Sequence, residues 1–213
     1  MELLETFLKQ HLFRQDVLGE TVLAAMGVDA NDREIWEGFR KSFIATIALE
    51  ESFIAISQST GEVVGAGLTK ILCPTEFKQA TISFMTTDST NAVMRRYCAF
   101  WKAHSQLFDQ CEYVDSLSCN RVLNVEWLVV HSDYRRRGIG VEITRRALEC
   151  GKARGCDVVL VGAAGAGSQR CFEKLGFKEI FNIAYSDVKD ERGETFVRPL
   201  NDSTCHKLYI KRL

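Results

Sequence analysis

Several signals that mark particular classes of protein are absent from this sequence. No apolar run approaches the roughly 20 residues that a membrane-spanning helix requires, so we expect no membrane contact. With 27 basic and 28 acidic residues the net charge is −1, which argues against non-specific binding of nucleic acid. A hydrophobic fraction of 46% argues against disorder, and neither repeats nor low-complexity segments are present. We therefore expect one domain, 1–213, around one core.

Metal-binding and disulfide-forming patterns are also missing. The chain has eight cysteines but no C-x-x-C pair, and its four histidines lack the spacing of metal ligands. We expect reduced, largely buried thiols and no metal. Residues 1–5 are acidic and amphipathic, unlike the basic start and apolar middle of a secretory signal, so the expected compartment is the cytoplasm.

Proline is scarce, and the hydrophobic pattern runs through long uninterrupted segments. Pro74 and Pro199 are the only prolines, and both are expected in loops. Helical periodicity predicts helices over 2–13, 18–26, 31–48 and 90–110. Apolar runs predict a hairpin of 53–57 with 62–72 and strands over 125–130, 157–163, 178–183 and 205–211. The pattern indicates an α/β (α+β) fold with a mixed sheet of about six strands and helices on both faces.

The most informative segment is a basic turn with two glycines between a strand and a helix. The apolar run 125–130 is followed by Arg135-Arg136-Arg137 and then by Gly138-Ile139-Gly140-Val141. Glycine permits unusual φ angles and lets a ligand approach the main chain closely. The N-terminus of the next helix offers unpaired N–H groups and the positive end of its dipole, which favour an anion. We predict that the turn binds a phosphate or pyrophosphate, with a solvated turn as the alternative.

The spacing of this turn narrows the kind of phosphate site. Arg-x-x-Gly-x-Gly, from Arg135 to Gly140, is neither the G-x-G-x-x-G of dinucleotide folds nor the G-x-x-x-x-G-K-[ST] of nucleotide triphosphatases. It resembles the coenzyme A pyrophosphate loop of the GNAT superfamily of N-acetyltransferases. The segments that follow are similar too, namely a strand at 157–163, a short helix closed by Gly176, and a strand at 178–183. The resemblance covers the range 123–184 and implies that this range is the acetyl-CoA-binding core.

A narrower resemblance is to the insect arylalkylamine N-acetyltransferase group. It rests on Ser168-Gln169 and Phe172 in the short helix, and on the segment 184–193 with its Tyr185-Ser186 start. It implies the GNAT acyl-CoA N-acyltransferase fold, whose central mixed sheet is splayed so that the pantetheine arm lies between the strands matching 125–130 and 157–163. The superfamily usually opens with a strand before its first helix, so we expect that edge strand to be either lacking or cut off.

The resemblance also implies an activity. A monomeric enzyme would move the acetyl group of acetyl-CoA to a primary amine by direct attack in a ternary complex. The amine would be an arylalkylamine such as dopamine, serotonin, tyramine or octopamine, or an amine of the agmatine or polyamine type. Amine-binding elements are implied in 1–50, 73–90 and 182–204. Two alternatives stay open, namely a longer-chain acyl-CoA as donor, and a catalytically impaired CoA-binding protein that regulates a partner.

Carried over position by position, the resemblance implies cofactor contacts from the end of the core strand, the basic turn and the short helix. These residues are Leu128, Val129, Val130, Arg135, Arg136, Arg137, Gly138, Ile139, Gly140, Val141, Ser168, Phe172 and Lys174.

Three residues are candidates for the chemistry, because an alkyl amine with a pKa of about 10.4 needs a base at pH 7. The resemblance places Asp16 where the insect group has a catalytic glutamate, with a helix N-cap as the alternative. Glu126 lies on the core strand where vertebrate relatives have a proton-relay histidine, with an exposed strand face as the alternative. Ser168 would place its hydroxyl near the thioester sulfur, cap the short helix, or do both. Phe172 occupies the position of a tyrosine acid in many relatives, and phenylalanine cannot donate a proton.

Overall fold

The computed structural model describes residues 2–15, 33–85, 91–197 and 204–213, and its strands follow the predicted hydrophobic runs. The strands are β1 (Phe53–Ile56), β2 (Val63–Leu72), β3 (Val122–Val130), β4 (Val158–Ala163), β5 (Lys178–Ala184) and β6 (Cys205–Arg212). They form one mixed sheet in the order β1-β2-β3-β4-β6-β5. Only β3 and β4 pair in parallel, and the other neighbours are antiparallel. The predicted mixed sheet of six strands is confirmed.

Seven α-helices cover the two faces of the sheet in the described part of the chain. They are α1 (Glu2–Gln15), α2 (Arg33–Ile47), α3 (Pro74–Met85), α4 (Ala92–Leu107), α5 (Gln110–Ser116), α6 (Ile139–Ala153) and α7 (Ala166–Lys174). None of them is long and apolar enough to cross a membrane. The predicted helix over 18–26, Asp16 and Pro199 lie outside the described residues.

Strand β2 separates the two layers because its alternate residues face opposite sides. Gly65 and Gly67 face α6, where an added Cβ at Gly67 would lie 2.5 Å from the side chain of Ile143. Ala66 and Leu68 are fully buried on the other face. That face packs against α1, α2 and α4 around a set of edge-to-face and tilted rings, which we call the aromatic cluster. Its members are Trp36, Phe39, Phe43, Tyr97, Phe100, Trp101 and Trp127. Trp36, Phe39 and Phe43 are buried in the core.

The segment between β2 and β3 differs from the prediction. Pro74 was expected in a loop but is the first residue of α3, a position at which proline loses no helical hydrogen bond and its fixed φ is already suitable. The single predicted helix over 90–110 is two helices. Asn91 caps α4 by accepting hydrogen bonds from the N–H groups of Val93 and Met94. Asp109 interrupts the helical run and caps α5 in the same way.

Most of the cysteine side chains serve as buried packing groups. Five of the eight side chains are buried, and burial raises the pKa of each of these thiols, so they pack as small apolar groups. The five are Cys98, Cys111, Cys119, Cys156 and Cys171.

A hydrogen-bonded pair of histidines is buried between α4 and β6. Nδ1 of His206 lies 2.9 Å from Nε2 of His104, and the two residues are 4% and 5% exposed. The ring of Trp101 lies 5.3 Å from each imidazole. Burial lowers the pKa of His104 to about 4, and burial together with the neighbouring His104 lowers the pKa of His206 well below its ordinary value. We call this neutral pair the histidine pair.

The histidine pair predicts how stability depends on pH. In the unfolded chain these imidazoles bind protons below about pH 6.5, whereas in the folded protein His104 does so only below about pH 4. The unfolded state therefore binds more protons in this window, and the free energy of unfolding falls as the pH is lowered through it, by up to about 3 kcal/mol for His104. Urea unfolding at pH 7.0, 5.5 and 4.5 should show a steeper loss in the natural protein than in the double variant His104→Gln/His206→Gln. If the free energy of unfolding falls equally with pH in both proteins, the lowered pKa assigned to the histidine pair is contradicted.

Candidate active site

The central feature of the site is a gap in the middle of the sheet. The parallel pairing of β3 with β4 runs from Val122–Val158 to Val125–Val161 and then stops. Beyond this point β3 pairs only with β2, as far as Val130, while β4 pairs only with β6, as far as Ala163. The two strands diverge, and the main chain of each presents an unpaired edge to the gap.

The direction of the main chain at the end of β3 determines what faces this gap. The N–H of His131 donates to the carbonyl of Val64 on β2, and the carbonyl of Val130 accepts a hydrogen bond from Nε of Arg135. Because the polar main-chain groups of successive residues point to opposite sides of a strand, the N–H groups of Leu128 and Val130 point into the gap. Two main-chain donors are thus available for an oxygen that develops negative charge.

A β-bulge sets the direction of Glu126. Leu68 pairs with Trp127 and Thr69 pairs with Val125, so Glu126 is the extra residue on β3. One carboxylate oxygen lies 3.0 Å from Nζ of Lys70 and the other lies 3.0 Å from the hydroxyl of Thr46, a fully buried residue of α2. The alternative interpretation, that Glu126 lies on an exposed face of the strand, is therefore wrong. The side chain is only 18% exposed and is fixed towards α2.

The basic turn has the unusual φ angle expected of its glycines at Gly138, whereas Gly140 lies in the first turn of α6. After a short 3-10 turn at Ser132–Tyr134 the chain passes through Arg136 at φ 61° and Gly138 at φ 82°, and α6 then begins at Ile139. Both residues are in the left-handed region, which glycine adopts without strain. No side chain among the described residues caps the N-terminus of α6, so its first N–H groups are available to an anion.

The arginines of the turn have distinct positions. Arg135 is anchored to the end of β3 through the carbonyl of Val130. Arg137 donates to the carbonyl of Asp133 at 2.9 Å, and its guanidinium lies 4.9 Å from the ring centre of Tyr134. All three arginines are exposed. In the first turn of α6 the carboxylate of Glu142 is neutralised by Arg146, at 2.9 Å, and by Arg145, and these partners lower its pKa.

Three elements meet at Gly140. A Cβ at this position would lie 3.7 Å from the side chains of Leu128 and Val130 and 3.9 Å from Sγ of Cys171. The start of α6 therefore rests on the end of β3 and on α7. The predicted cofactor residues on β3 and in the turn are brought together here, with Ile139 and Val141 half-buried in the first turn of α6. The side chain of Val129 is 5% exposed and packs with the aromatic cluster, so this residue offers the gap only its main chain.

Helix α7 places its three candidate residues in different environments. Its N-cap is Gly165, and the hydroxyl of Ser168 donates to the carbonyl of Gly165 at 2.8 Å, so the alternative role of Ser168 as the cap of this helix is wrong. Phe172 is 1% exposed and packs against Phe177 and Tyr209 in the core. Lys174 is exposed in the last turn. The contacts of these side chains with a cofactor stay predictions.

The histidine pair was not predicted from the sequence. His104 and His206 are 102 residues apart and lie on a helix and a strand, so no local pattern signals that they touch. The topology that places β6 beside β4, opposite α4, brings them together.

Comparisons with known proteins agree with this geometry. The sequence profile described as the Acetyltransferase (GNAT) family matches residues 25–177. An uncharacterized N-acetyltransferase of Methanocaldococcus jannaschii is 31% identical over 71 residues, which cover 32% of this chain and only 31% of that relative's length. The profile and the relative are both described as acetyltransferases.

Solved structures of insect enzymes share the fold. Arylalkylamine N-acetyltransferase 2 of Aedes aegypti superposes with a TM-score of 0.81 at 21% identity, covering 99% of this chain and 93% of that one. The polyamine N-acetyltransferase of Drosophila melanogaster, which catalyses the formation of N-acetylagmatine, superposes with a TM-score of 0.77 at 19% identity, covering 100% and 94%. At these identities the likeness shows the fold, and the family is shown by the profile, which spans well over half of the chain. The protein with this splayed sheet and basic turn belongs to the GNAT family of acetyltransferases.

Proposed function

We propose that this protein transfers the acetyl group of acetyl-CoA to a small primary amine by direct attack in a ternary complex. The observation that carries the proposal is the gap between β3 and β4, with the N–H groups of Leu128 and Val130 at one edge and the uncapped start of α6 beside it. The left-handed Gly138 and the exposed arginines fit a pyrophosphate at this helix terminus. The residues present therefore fit coenzyme A.

Each part of the site has a role in this proposal. The main-chain N–H groups of Gly138–Val141, with Arg135, Arg136 and Arg137, would hold the pyrophosphate. The main chain of Leu128–Val130 would hold the pantetheine arm and hydrogen-bond the carbonyl oxygen of the thioester. Acetyl-CoA supplies the activated acetyl group when it is bound. The hydroxyl of Ser168 could protonate the departing thiolate once it releases the carbonyl of Gly165.

The amine must lose a proton before or during attack. An alkyl amine with a pKa of about 10.4 is neutral in roughly one molecule in 2,500 at pH 7, which corresponds to about 4.6 kcal/mol. Asp16 and Glu126 are the candidate bases that the sequence suggested. The carboxylate of Glu126 is already compensated by the ammonium group of Lys70 and contacted by Thr46, which argues against a free base at this position. Asp16 stays a candidate on the resemblance alone.

The surroundings of the gap favour an aromatic amine over agmatine or a polyamine. Trp127 immediately precedes Leu128 on β3 and packs against Phe39 and Phe43 on the face opposite α6, so the aromatic cluster extends to the gap. A second cationic group on the substrate would need an uncompensated carboxylate once it is desolvated. Near this face, Glu5 is paired with Arg40 at 2.7 Å and Glu126 with Lys70 at 3.0 Å. These two carboxylates are thus already neutralised by the protein's own cations.

We expect tyramine, dopamine and tryptamine to be acetylated with kcat/KM at least about tenfold above agmatine and spermidine, because a second cation loses a few kcal/mol where Glu5 and Glu126 are already paired with the protein's own cations. Release of free thiol from acetyl-CoA measures this. A parallel series of acetyl-, hexanoyl- and palmitoyl-CoA tests the longer-chain alternative. Tight CoA binding without thiol release for any amine would contradict the proposal and favour the non-catalytic CoA-binding protein.

The variant Gly138→Ala is expected to raise the Kd for CoA about tenfold. At φ 82° an alanine is strained by about 1–2 kcal/mol, and relief of that strain moves the N–H groups that face the pyrophosphate. Isothermal titration with CoA measures the effect. Gly155→Ala is the matched control, because Gly155 has φ 73° at the other end of α6 and open space around it. Equal losses of CoA affinity in both variants would show a general effect of strain and contradict the assignment.

The variant Glu126→Gln is expected to lower kcat by less than about tenfold, because Lys70 already compensates the carboxylate and glutamine keeps the contact with Thr46. Steady-state acetylation of tyramine measures it, with Asp16→Asn assayed alongside and Lys70→Met as the partner control. A loss of about 100-fold or more in Glu126→Gln, at unchanged KM, is the size expected for a general base and would overturn this interpretation.

A further inference from the structure

The histidine pair reaches the open end of the sheet at Gly162. This glycine is the first residue of β4 beyond the last pair with β3, and it is exposed although Val161 and Ala163 on either side are buried. A Cβ added to Gly162 would lie 2.7 Å from Nε2 of His206. The ring nitrogen therefore lies directly over bare main chain beside the gap, a place that any larger residue at position 162 would fill.

An unpartnered donor lies beside the same pair. Nε1 of Trp101 is buried and has no hydrogen-bond partner among the described residues. The indole packs on both imidazoles, at 5.3 Å between ring centres. A buried N–H without a partner costs about 1–3 kcal/mol, so its persistence beside two polar rings indicates a place where a polar ligand atom or a water is held.

The pair is a neutral chain with one shared proton. Because the two facing nitrogens are 2.9 Å apart, one of them donates and the other accepts. When Nδ1 of His206 donates to His104, Nε2 of His206 carries a lone pair beside the gap. When Nε2 of His104 donates instead, Nε2 of His206 carries the proton. The two arrangements differ by the passage of one proton along the pair.

We propose that His206, positioned by His104, accepts the proton that the amine loses as it attacks the thioester. This role rests on the proposed acetyltransferase function. The bond from nitrogen to the acetyl carbon forms and the carbon–sulfur bond breaks. The amine N–H proton passes to Nε2 of His206, the Nδ1 proton of His206 passes to Nε2 of His104, and the Nδ1 proton of His104 passes to water. The thiolate takes one proton from the hydroxyl of Ser168, which regains a proton from water, so the count of protons balances.

Exchange of tautomers suits this environment better than a charged base. A single imidazolium in this buried, aromatic setting is disfavoured, as the pKa of about 4 for His104 shows. Passing a proton in at one end and out at the other leaves both rings neutral at every stage outside the transfer itself. Among the described residues, the only titratable group that shifts the pKa of His206 is its partner His104.

The test compares His206→Gln, His104→Gln and the double variant with the natural protein, using the amine turned over fastest. Glutamine keeps a hydrogen-bonding side chain but cannot exchange tautomers. We expect kcat to fall about 100-fold in each single variant and no further in the double variant, because the two residues act as one unit. The KM for the amine and the Kd for CoA are expected to stay within about twofold. We also expect the solvent deuterium isotope effect to differ. A plot of kcat against the deuterium fraction of the solvent should be curved for the natural protein and straight for the variants.

Gly162→Ala provides an independent variant that leaves both imidazoles in place. Its methyl group would crowd Nε2 of His206, and we expect kcat to fall while the CoA affinity is kept. If His206→Gln keeps kcat within about twofold, the role of the pair is overturned, while the proposed acetyltransferase function stands. Losses that add in the double variant and follow a loss of thermal stability overturn it as well, because they show a packing role. Absence of turnover in the natural protein with every amine overturns the proposed function and this role together.

Discussion

The early end of main-chain pairing between β3 and β4 is the constraint on which the rest of the site depends. Strands in the middle of a sheet normally satisfy each other's N–H and carbonyl groups, and each bond left unmade costs on the order of 1 kcal/mol. Here the edges beyond Val125 and Val161 are kept apart while β2 and β6 hold the outer sides of the two strands. The bulge at Glu126, fixed by Lys70 and Thr46, lies where the strands begin to diverge. The polar edges that result are what a thioester and its oxyanion require.

The two faces of the sheet contribute different chemistry to this gap. On the face of α6 and α7 the environment is cationic and exposed, with arginines around an uncapped helix start. On the opposite face it is aromatic and buried, with the carboxylates of Glu5 and Glu126 paired to cations. In the proposed reaction, an anionic pyrophosphate and an aromatic amine would thus bind on separate sides of the sheet and meet only where it is open. Mixing of the two environments would place the arginines near the amine and disfavour its cation.

The sequence predicted the elements with strong local signals and missed those that depend on long-range contacts. The six strands, the basic turn with its left-handed Gly138, and the closing Gly176 at φ 73° were all visible as local patterns. Pro74 was misplaced because a proline marks a helix start as readily as a loop. The bulge at Glu126 depends on the register of β2, and the histidine pair depends on residues 102 apart. Neither feature can be recognised from a short stretch of the sequence. The role of Asp16 still rests on the resemblance.

Gly65 and Gly67 have a consequence for how the proposed enzyme would bind its two substrates. Without side chains at these positions Ile139 and Ile143 rest against the main chain of β2, and α6 has no room to slide or tilt. The helix start that faces the pyrophosphate is therefore preorganised, and little conformational entropy is lost there on binding. In the proposed enzyme, any ordering on binding of the amine would then fall on the opposite side, among the helices around the aromatic cluster. In the proposed enzyme, discrimination between amines would thus rest on the half around the aromatic cluster, while affinity for the common donor would rest on the half around α6.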